Sequence, residues 1–359
     1  MAAGFHRFPS KVRVLLSEGL TFMAITRIII PRLVLLLFVV LGVAVITFTI
    51  SHLIPGDPAR MIAGDRASAE TLENVRRNLG LDRPVVEQFT IYIGNLLQGD
   101  LGTSLRTNRP VAGDIRTFLP ATLELGTVAL FIAICLGVPL GVLSAVYKDG
   151  PIDQIARTVS VCGISMPVFW FGLILIYLFY AKFQILPGSG RLAMGIVAPE
   201  RITGFLLIDS LLQGRFDAFR SAVYHIILPG FVLAFANMGV ITRQIRASML
   251  DVLQEDYIRT ARASGLRKGM IIFNYALRNA LIPSITLLGL ALGDLLYGAV
   301  LTETIFAWPG MGTYVVTSIQ TLDFPAIMGF TIVASIGYVL INLLVDLAYM
   351  LADPQIREV

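Results

Sequence analysis

The sequence predicts an all-α integral membrane protein with six transmembrane helices. Three observations predict it: a composition far from that of a soluble domain, six long apolar stretches, and basic residues crowded into alternate loops. The 359 residues are 56% hydrophobic and 14% charged, with a mean hydropathy of +0.77, whereas soluble domains carry about 25% charged residues. A helix crossing the hydrocarbon core needs roughly 20 mostly apolar residues. The stretches that qualify are about 33–54, 122–147, 155–178, 226–246, 283–306 and 326–352.

Residues 1–27 form an extension ahead of the first span. Its stretch from Lys11 to Arg27 mixes Val, Leu, Phe and Met with basic residues. It reads either as an amphipathic helix on the membrane surface or as a disordered leader. The first apolar run is too long for a signal peptide and lacks a small-residue cleavage site, so it is expected to stay as an uncleaved span.

Six spans put both termini on one side with the second and fourth loops. That side carries fifteen Lys and Arg against eight Asp and Glu. On the other side the first loop holds eight of each, the third, counted from the end of its span at 179 to 225, five basic and three acidic, and the fifth, 302–325, has no Lys or Arg. Short loops set orientation, so the termini and loops two and four are predicted to be cytoplasmic. The net charge of +4 therefore reflects orientation, and nucleic acid is not an expected partner.

The large outward loops, 55–121 and 187–225, look folded. In the first, Pro84 precedes Val85, Phe89, Ile93 and Leu96 at helical spacing, then Gly-Asp-Leu-Gly, which predicts a small cap. The third contains Thr-Gly-Phe-Leu-Leu-Ile-Asp-Ser-Leu-Leu, a second amphipathic stretch. Within the spans, Gly137 with Gly141 and Gly289 with Gly293 permit close helix crossings. Pro139, Pro167 and Pro229 are expected to kink or loosen their helices. Cys135 and Cys162 lie inside apolar runs and read as small core residues. His6, His52 and His225 are scattered, so no metal centre is expected.

The fourth loop is unlike an ordinary connector. From Asp251 it reads DVLQEDYIRTARASGL, with Glu255 and Asp256 near the start of a helix and Gly265 where one would stop. Ala261 and Gly265, four apart, share a predicted face with Ile258, while Arg259, Arg262 and Arg267 fan around the sides. Small residues admit another surface close to the backbone and arginines grip carboxylates at its rim. A positive-inside loop would explain the arginines but needs no such small residues.

This stretch resembles the cytoplasmic coupling motif of ABC importer permeases. Gly265 matches the motif's glycine and Ala261 its second alanine. Arg259 replaces the usual Glu, Thr260 the first Ala, and Leu277-Arg278 the Leu-Pro. The variant EDYIRTARASGL…ALRNALIP is similar to the dipeptide and oligopeptide branch. HLIPGDPA at 52–59, LGLDRPVVEQF at 79–89, GDLGTSL at 99–105, ATLELG at 121–126, SMPVFW at 165–170 and LTETIFAWPGMG at 301–312 resemble it in the same order.

The resemblance covers nearly the whole chain from about residue 28 and is strongest to the dipeptide permease subunit that pairs with a second permease. It implies a type I importer fold over 28–359, a second homologous permease, two ATPase subunits using ATP and Mg, and a periplasmic binding protein delivering peptide. It also implies an inner-membrane location and a coupling helix at about 257–269. Tyr257, Arg259, Thr260, Ala261, Arg262, Ala263, Gly265 and Leu266 would meet the ATPase. Permeases for nickel complexes, glutathione and opines share these motifs.

Asp294 lies near the middle of the fifth span, where an ionised carboxylate costs about 2.5–3.5 kcal/mol. It is expected to face the pathway or a partner, with Tyr297 on the same face. Glu124, near the start of the second span, would favour a helix N-terminus. Glu303 and Trp308 fall at the outer end of the fifth span. The Trp suits the interfacial belt, the Trp-Pro-Gly-Met-Gly run a tight turn, and by resemblance the segment borders an outer gate.

Rival readings fit less well. The chain has no G-x-x-x-x-G-K-[ST] loop, so it is not expected to cradle nucleotide phosphates itself. An intramembrane serine protease built on Ser165 would need a base, and His52 and His225 fall at span ends. A secondary transporter would be expected to carry inverted repeats, and none is visible.

Overall fold

The computed structural model describes Ser10–Leu53 and residues 59–60, 67–78, 80–281, 283–284 and 299–352, with side chains placed between 29 and 347. Among these residues the structure is helical and contains no strand. Helix α1 is Ser10–Leu53, 44 residues long and continuous through Pro31. The stretch from Lys11 to Arg27 is thus neither a separate surface helix nor an unstructured leader, but the first part of α1. Beyond the proline, Arg32 pairs with Asp346 at 2.5 Å.

Two short helices follow, α2 at Ala69–Asn78 and α3 at Val85–Leu97. Pro84 sits just ahead of α3, where its fixed φ suits helix initiation and its missing N–H costs nothing. The helix expected through Val85, Phe89, Ile93 and Leu96 is therefore present. His52 Nε2 lies 3.1 Å from Gln88 Oε1, joining the end of α1 to α3.

Helix α4 is Val111–Val146. Next, α5 (Pro151–Ser165) is followed by α6 (Val168–Leu175), which runs on as a π-helical stretch, Ile176–Lys182. The α5 and α6 axes are bent by 109°. Met166 is extended there, the conformation a following proline favours, and Pro167 has no N–H to continue the helical ladder. Pro167 thus breaks its helix, while Pro139 and Pro229 sit inside unbroken ones.

Helix α7 is Leu206–Leu212 and α8 is Phe216–Val252. Both α4 and α8 start well before the apolar stretches predicted at 122 and 226. Hydropathy marks only the part that lipid requires, whereas the helix continues through Asp114, Arg116, Asp217 and Arg220. At 1.5 Å per residue α4 and α8 are each about 55 Å long, against a hydrocarbon core of about 30 Å. The segment ahead of α7 folds onto Asp209, which accepts hydrogen bonds from the N–H groups of Ile202, Thr203 and Gly204 and from the Thr203 hydroxyl. Burial pushes the Asp209 carboxyl up, but these bonds outweigh it and hold the group below its ordinary value.

Helix α9 is Asp256–Ala263. Helix α10 then runs through Lys268–Met270, a π turn at Ile271–Ala276, and Leu277–Ala280. After it only 283–284 and 299–306 of the predicted fifth span are described, and all but Phe306 are helical. Asp294, Tyr297, Gly289 and Gly293 lie outside the described residues. Met311–Gln320 forms α11 and Phe324–Ala352 forms α12.

The core centres on the crossing of α4 with α8 and α5. A Cβ on Gly141 would lie 2.7 Å from Ile245 Cβ and 2.8 Å from the Thr242 carbonyl oxygen. Gly137 is almost as tight against Ile241, and its carbonyl accepts from Thr242 Oγ1 at 3.2 Å. The expected close crossing is present for this glycine pair. On the other side of α8, Gly163 and Gly239 bring α5 equally near. Cys135 and Cys162 are exposed on the folded chain, which overturns their reading as core residues: they occupy the outward faces of apolar helices.

Among the described residues, Ile29–Leu53, Val111–Val146, Phe216–Val252 and Phe324–Leu347 are long and apolar enough to cross a membrane. The bent α5–α6 pair makes a fifth span if its two halves count as one.

Candidate functional sites at the two ends of the bundle

The end remote from α9 is built around the turn that follows residues 299–305. Glu303 is fully buried. Its Oε1 accepts from Thr122 Oγ1 at 2.6 Å, and its Oε2 from the N–H of Gly312 at 2.7 Å and of Thr313 at 3.1 Å. The glycines of the turn are needed for this approach. A Cβ on Gly312 would stand 2.5 Å from Val300 Cα and 2.8 Å from Glu303 Oε2, and one on Gly310 would meet the same carboxylate.

Trp308 is 1% exposed. Its indole Nε1 donates to the Ala121 carbonyl at 2.9 Å, and the Arg191 guanidinium lies 5.2 Å from its ring centre. The expectation of an interfacial Trp is thereby corrected: the ring is in the core because its N–H has a partner there. Arg191 also pairs with Glu124, whose other oxygen accepts from Leu207 N at 2.7 Å. Glu124 lies inside α4 rather than at a helix start, so it pins the 183–215 segment to α4 instead of capping a helix. The Gly190 N–H to Phe306 carbonyl bond, 2.9 Å, adds a second tie.

A neighbouring lock holds the first extramembrane segment. Asp323, fully buried, accepts from Ser104 Oγ at 2.5 Å and from the backbone N–H of Leu105 and Arg106 at 3.1 and 3.2 Å. The polar groups at this end thus join separate elements to one another.

The α9 end is organised differently. Ile258 is fully buried and Ala261 7% exposed, and both join the core that contains Ala145, Ile245 and Met249. Leu266 packs against the same core. The predicted shared docking face is therefore corrected. Ile258 and Ala261 face the chain's own core, and Ala261 is small because α9 lies flat upon it. Gly265 is not on the helix at all: α9 ends at Ala263, and Gly265 adopts φ +75° in the turn before α10. This is the left-handed conformation at which glycine stops helices. The single helix expected over 257–269 is thus two helices with a turn between them.

Tyr257, Arg259, Thr260, Arg262 and Ala263 are exposed. Tyr257 Oη accepts from Asn279 at 2.7 Å, tying α9 to α10. Arg259 meets Asp256 at 3.1 Å, an exposed pair of little energetic weight. Beside them, a cavity of about 360 Å³ is lined by Arg262, Leu266 and Lys268 with Val146 and Leu253.

Sequence reasoning missed the strongest polar junction at this end. Asp153, at the start of α5, is fully buried. It accepts from Arg246 Nε at 2.7 Å and Nη2 at 2.8 Å, from Ser144 Oγ at 2.5 Å, and from Asp149 N at 2.9 Å. One carboxylate so fastens α4, α5 and α8 together. The available signal was an Asp and an Arg next to apolar runs, since charges there require partners.

A polytopic helical bundle with a rooted, outwardly charged helix at one end has the form of a membrane transport component. Residues 137–358 match the family described as binding-protein-dependent transport system inner membrane component, and residues 25–126 match the N-terminal family of such membrane components. The chain belongs to this family, and is a multi-pass inner-membrane protein. It is 60% identical to the probable D,D-dipeptide transport system permease protein DdpB of Escherichia coli K12, over 89% of this chain and 94% of that one. It is 42% identical to the E. coli K12 dipeptide transport system permease protein DppB, over 92% and 98%. With the glutathione transport system permease protein GsiC of Pectobacterium atrosepticum it shares 40% identity, over 91% and 98%.

Proposed function

We propose that this chain supplies half of the translocation pathway of an ATP-driven importer for dipeptides or short oligopeptides. A second, homologous permease completes the pathway. Two ATPase subunits bind ATP and Mg beneath them, and a periplasmic binding protein delivers the peptide. The chain itself binds no cofactor. In this reading six spans over 28–359 leave both termini and α9 in the cytoplasm, and 1–27 is an extension on that side.

The observation that carries the proposal is the two-sidedness of α9. Its Ile258 and Ala261 are rooted in the core shared with α4 and α8, while Arg259, Thr260, Arg262 and Ala263 face outward. A helix so mounted transmits displacement, because the close α4–α8 crossing leaves no slack to absorb it. The nearby cavity beside Arg262 and Lys268 offers a recess for a partner side chain. Glu303 and Trp308 hold the turn that borders the outer gate, and Asp294 with Tyr297 line the pathway.

The peptide cargo is supported by the names of the D,D-dipeptide and dipeptide permeases among the relatives. Glutathione, itself a peptide, is the second reading, favoured by the glutathione permease relative. Nickel complexes and opines follow from family resemblance alone.

The test is reconstitution with the ATPases and binding protein. Reversing Arg259 and Arg262 to Glu should abolish uptake of labelled dipeptide while leaving the amount of protein in the membrane unchanged. Undiminished uptake would refute the coupling role of α9. Competition by unlabelled D,D-dipeptide, L,L-dipeptide and glutathione ranks the cargoes, and Asp294→Ala with unchanged uptake removes that residue from the pathway.

A further inference from the structure

A second recess lies at the end of the bundle away from α9, apart from the Glu303 turn. It is a cavity of about 750 Å³ between the end of the π stretch, the segment 184–196 and the first turns of α8. Its wall is apolar along Ile185, Leu186, Pro187 and Ile196, and its polar groups come from α8 together with Gln184 and Tyr180. A volume of this size accommodates a small organic molecule.

The charges at its mouth are unbalanced. Arg220 is exposed, and its recorded partner is the Tyr224 ring, 5.7 Å from the guanidinium carbon. The acidic residue on the wall, Asp217, is taken by Arg215 through bonds of 3.1 and 3.0 Å. Arg220 thus faces outward on an aromatic ring with no carboxylate bound to it among the described contacts.

Deeper in, His225 is 8% exposed. Its Nδ1 lies 2.7 Å from the Ser221 carbonyl oxygen and must carry a proton there. That leaves Nε2 as the ring nitrogen open to an occupant.

Depth in the membrane identifies the occupant. The apolar run of α8 begins near residue 226, so the wall from Asp217 to His225 spans the roughly 12 Å of helix just outside the hydrocarbon. Tyr180 and Tyr224, 55% and 43% exposed, line the same recess, as aromatic residues at a membrane interface do. An unpaired cation, aromatic rings and an apolar wall at headgroup depth match the phosphate, interface and acyl chain of an acidic phospholipid.

We propose that this cavity is a binding site for an anionic phospholipid, its phosphate held by Arg220 and its glycerol and upper acyl chain laid along Ile185, Leu186 and Ile196.

The test uses the full chain in nanodiscs of mixed phosphatidylglycerol and phosphatidylcholine, with retained lipid counted by native mass spectrometry. Arg220→Gln should weaken phosphatidylglycerol retention roughly fivefold and leave phosphatidylcholine unchanged. Equal retention by the wild type and the variant overturns the proposal. Displacement of the bound lipid by millimolar inorganic phosphate would also overturn it, by marking a site for soluble anions. A photoactivatable phosphatidylglycerol on the wild-type protein gives a measure independent of variant folding. Labelling of peptides within 180–196 is expected, and labelling confined to other helices would refute the site.

Discussion

The turn at 302–313 and helix α9 are both short, both follow a long apolar stretch, and both carry residues of unusual type, yet they use them in opposite ways. In the turn, Glu303, Trp308 and the glycines face inward, and their polar atoms bond other parts of the same chain. In α9 Ile258 and Ala261 face inward and the charged residues are left to solvent. Buried polar groups must be satisfied internally, so they report on how the chain is held together. Exposed charges on a firmly rooted helix remain available to another molecule. The α9 end separates the two tasks, locking itself with Asp153 and presenting the arginines beyond that lock.

The comparison is sharpened by breaking each feature in turn. Asp153→Ala should be the most damaging, lowering stability by about 3–5 kcal/mol, because Arg246 loses its buried counter-ion. Thermal unfolding in detergent measures it, and joint replacement of Asp153 by Leu and Arg246 by Met should restore much of the loss. Glu303→Ala should follow at about 2–4 kcal/mol, since Gly312 and Thr313 lose their acceptor and Thr122 its carboxylate partner. A loss of similar size from Arg262→Ala would contradict the contrast drawn between the two regions.

Gly265→Val should cost about 1–2 kcal/mol by forcing a branched residue into the left-handed region, and should also impair uptake by displacing α9 from α10. Arg262→Ala should change stability by no more than about 0.5 kcal/mol while reducing coupled uptake in the reconstituted importer. The smallest effect is local. The folded Asp209 carboxyl lies below its ordinary 3.8, so its contribution is full above that value. It is lost only as the pH falls through the lower folded value. Hydrogen exchange at Thr203 and Gly204, followed over acid pH, measures this after correction for intrinsic rates.

Much of this architecture is legible from residue types. The apolar stretches mark the spans, Pro84 marks the start of α3, Gly137 and Gly141 mark a helix crossing, and Gly265 marks a helix end. Periodicity was less reliable about direction. Ile258 and Ala261 do share a face, but whether a face meets its own core or a partner depends on what the rest of the chain places beside it. Glu124 was misread because the helix start was drawn at the edge of the apolar run. Trp308 was misread because composition cannot tell a ring at the lipid boundary from one that donates to a carbonyl 187 residues away in the chain.

By itself the sequence determined that this protein lives in a membrane, roughly where its helices lie, and which family it resembles. Those properties follow from hydropathy, backbone preference and local motif, all of which act over a few residues. Only the tertiary structure decided that Asp153 joins three helices, that Glu303 and Trp308 are internal fasteners, and that Arg220 has no acidic partner among the described contacts. Each of these depends on which distant segments come together, and so on burial and geometry that no short stretch of chain specifies.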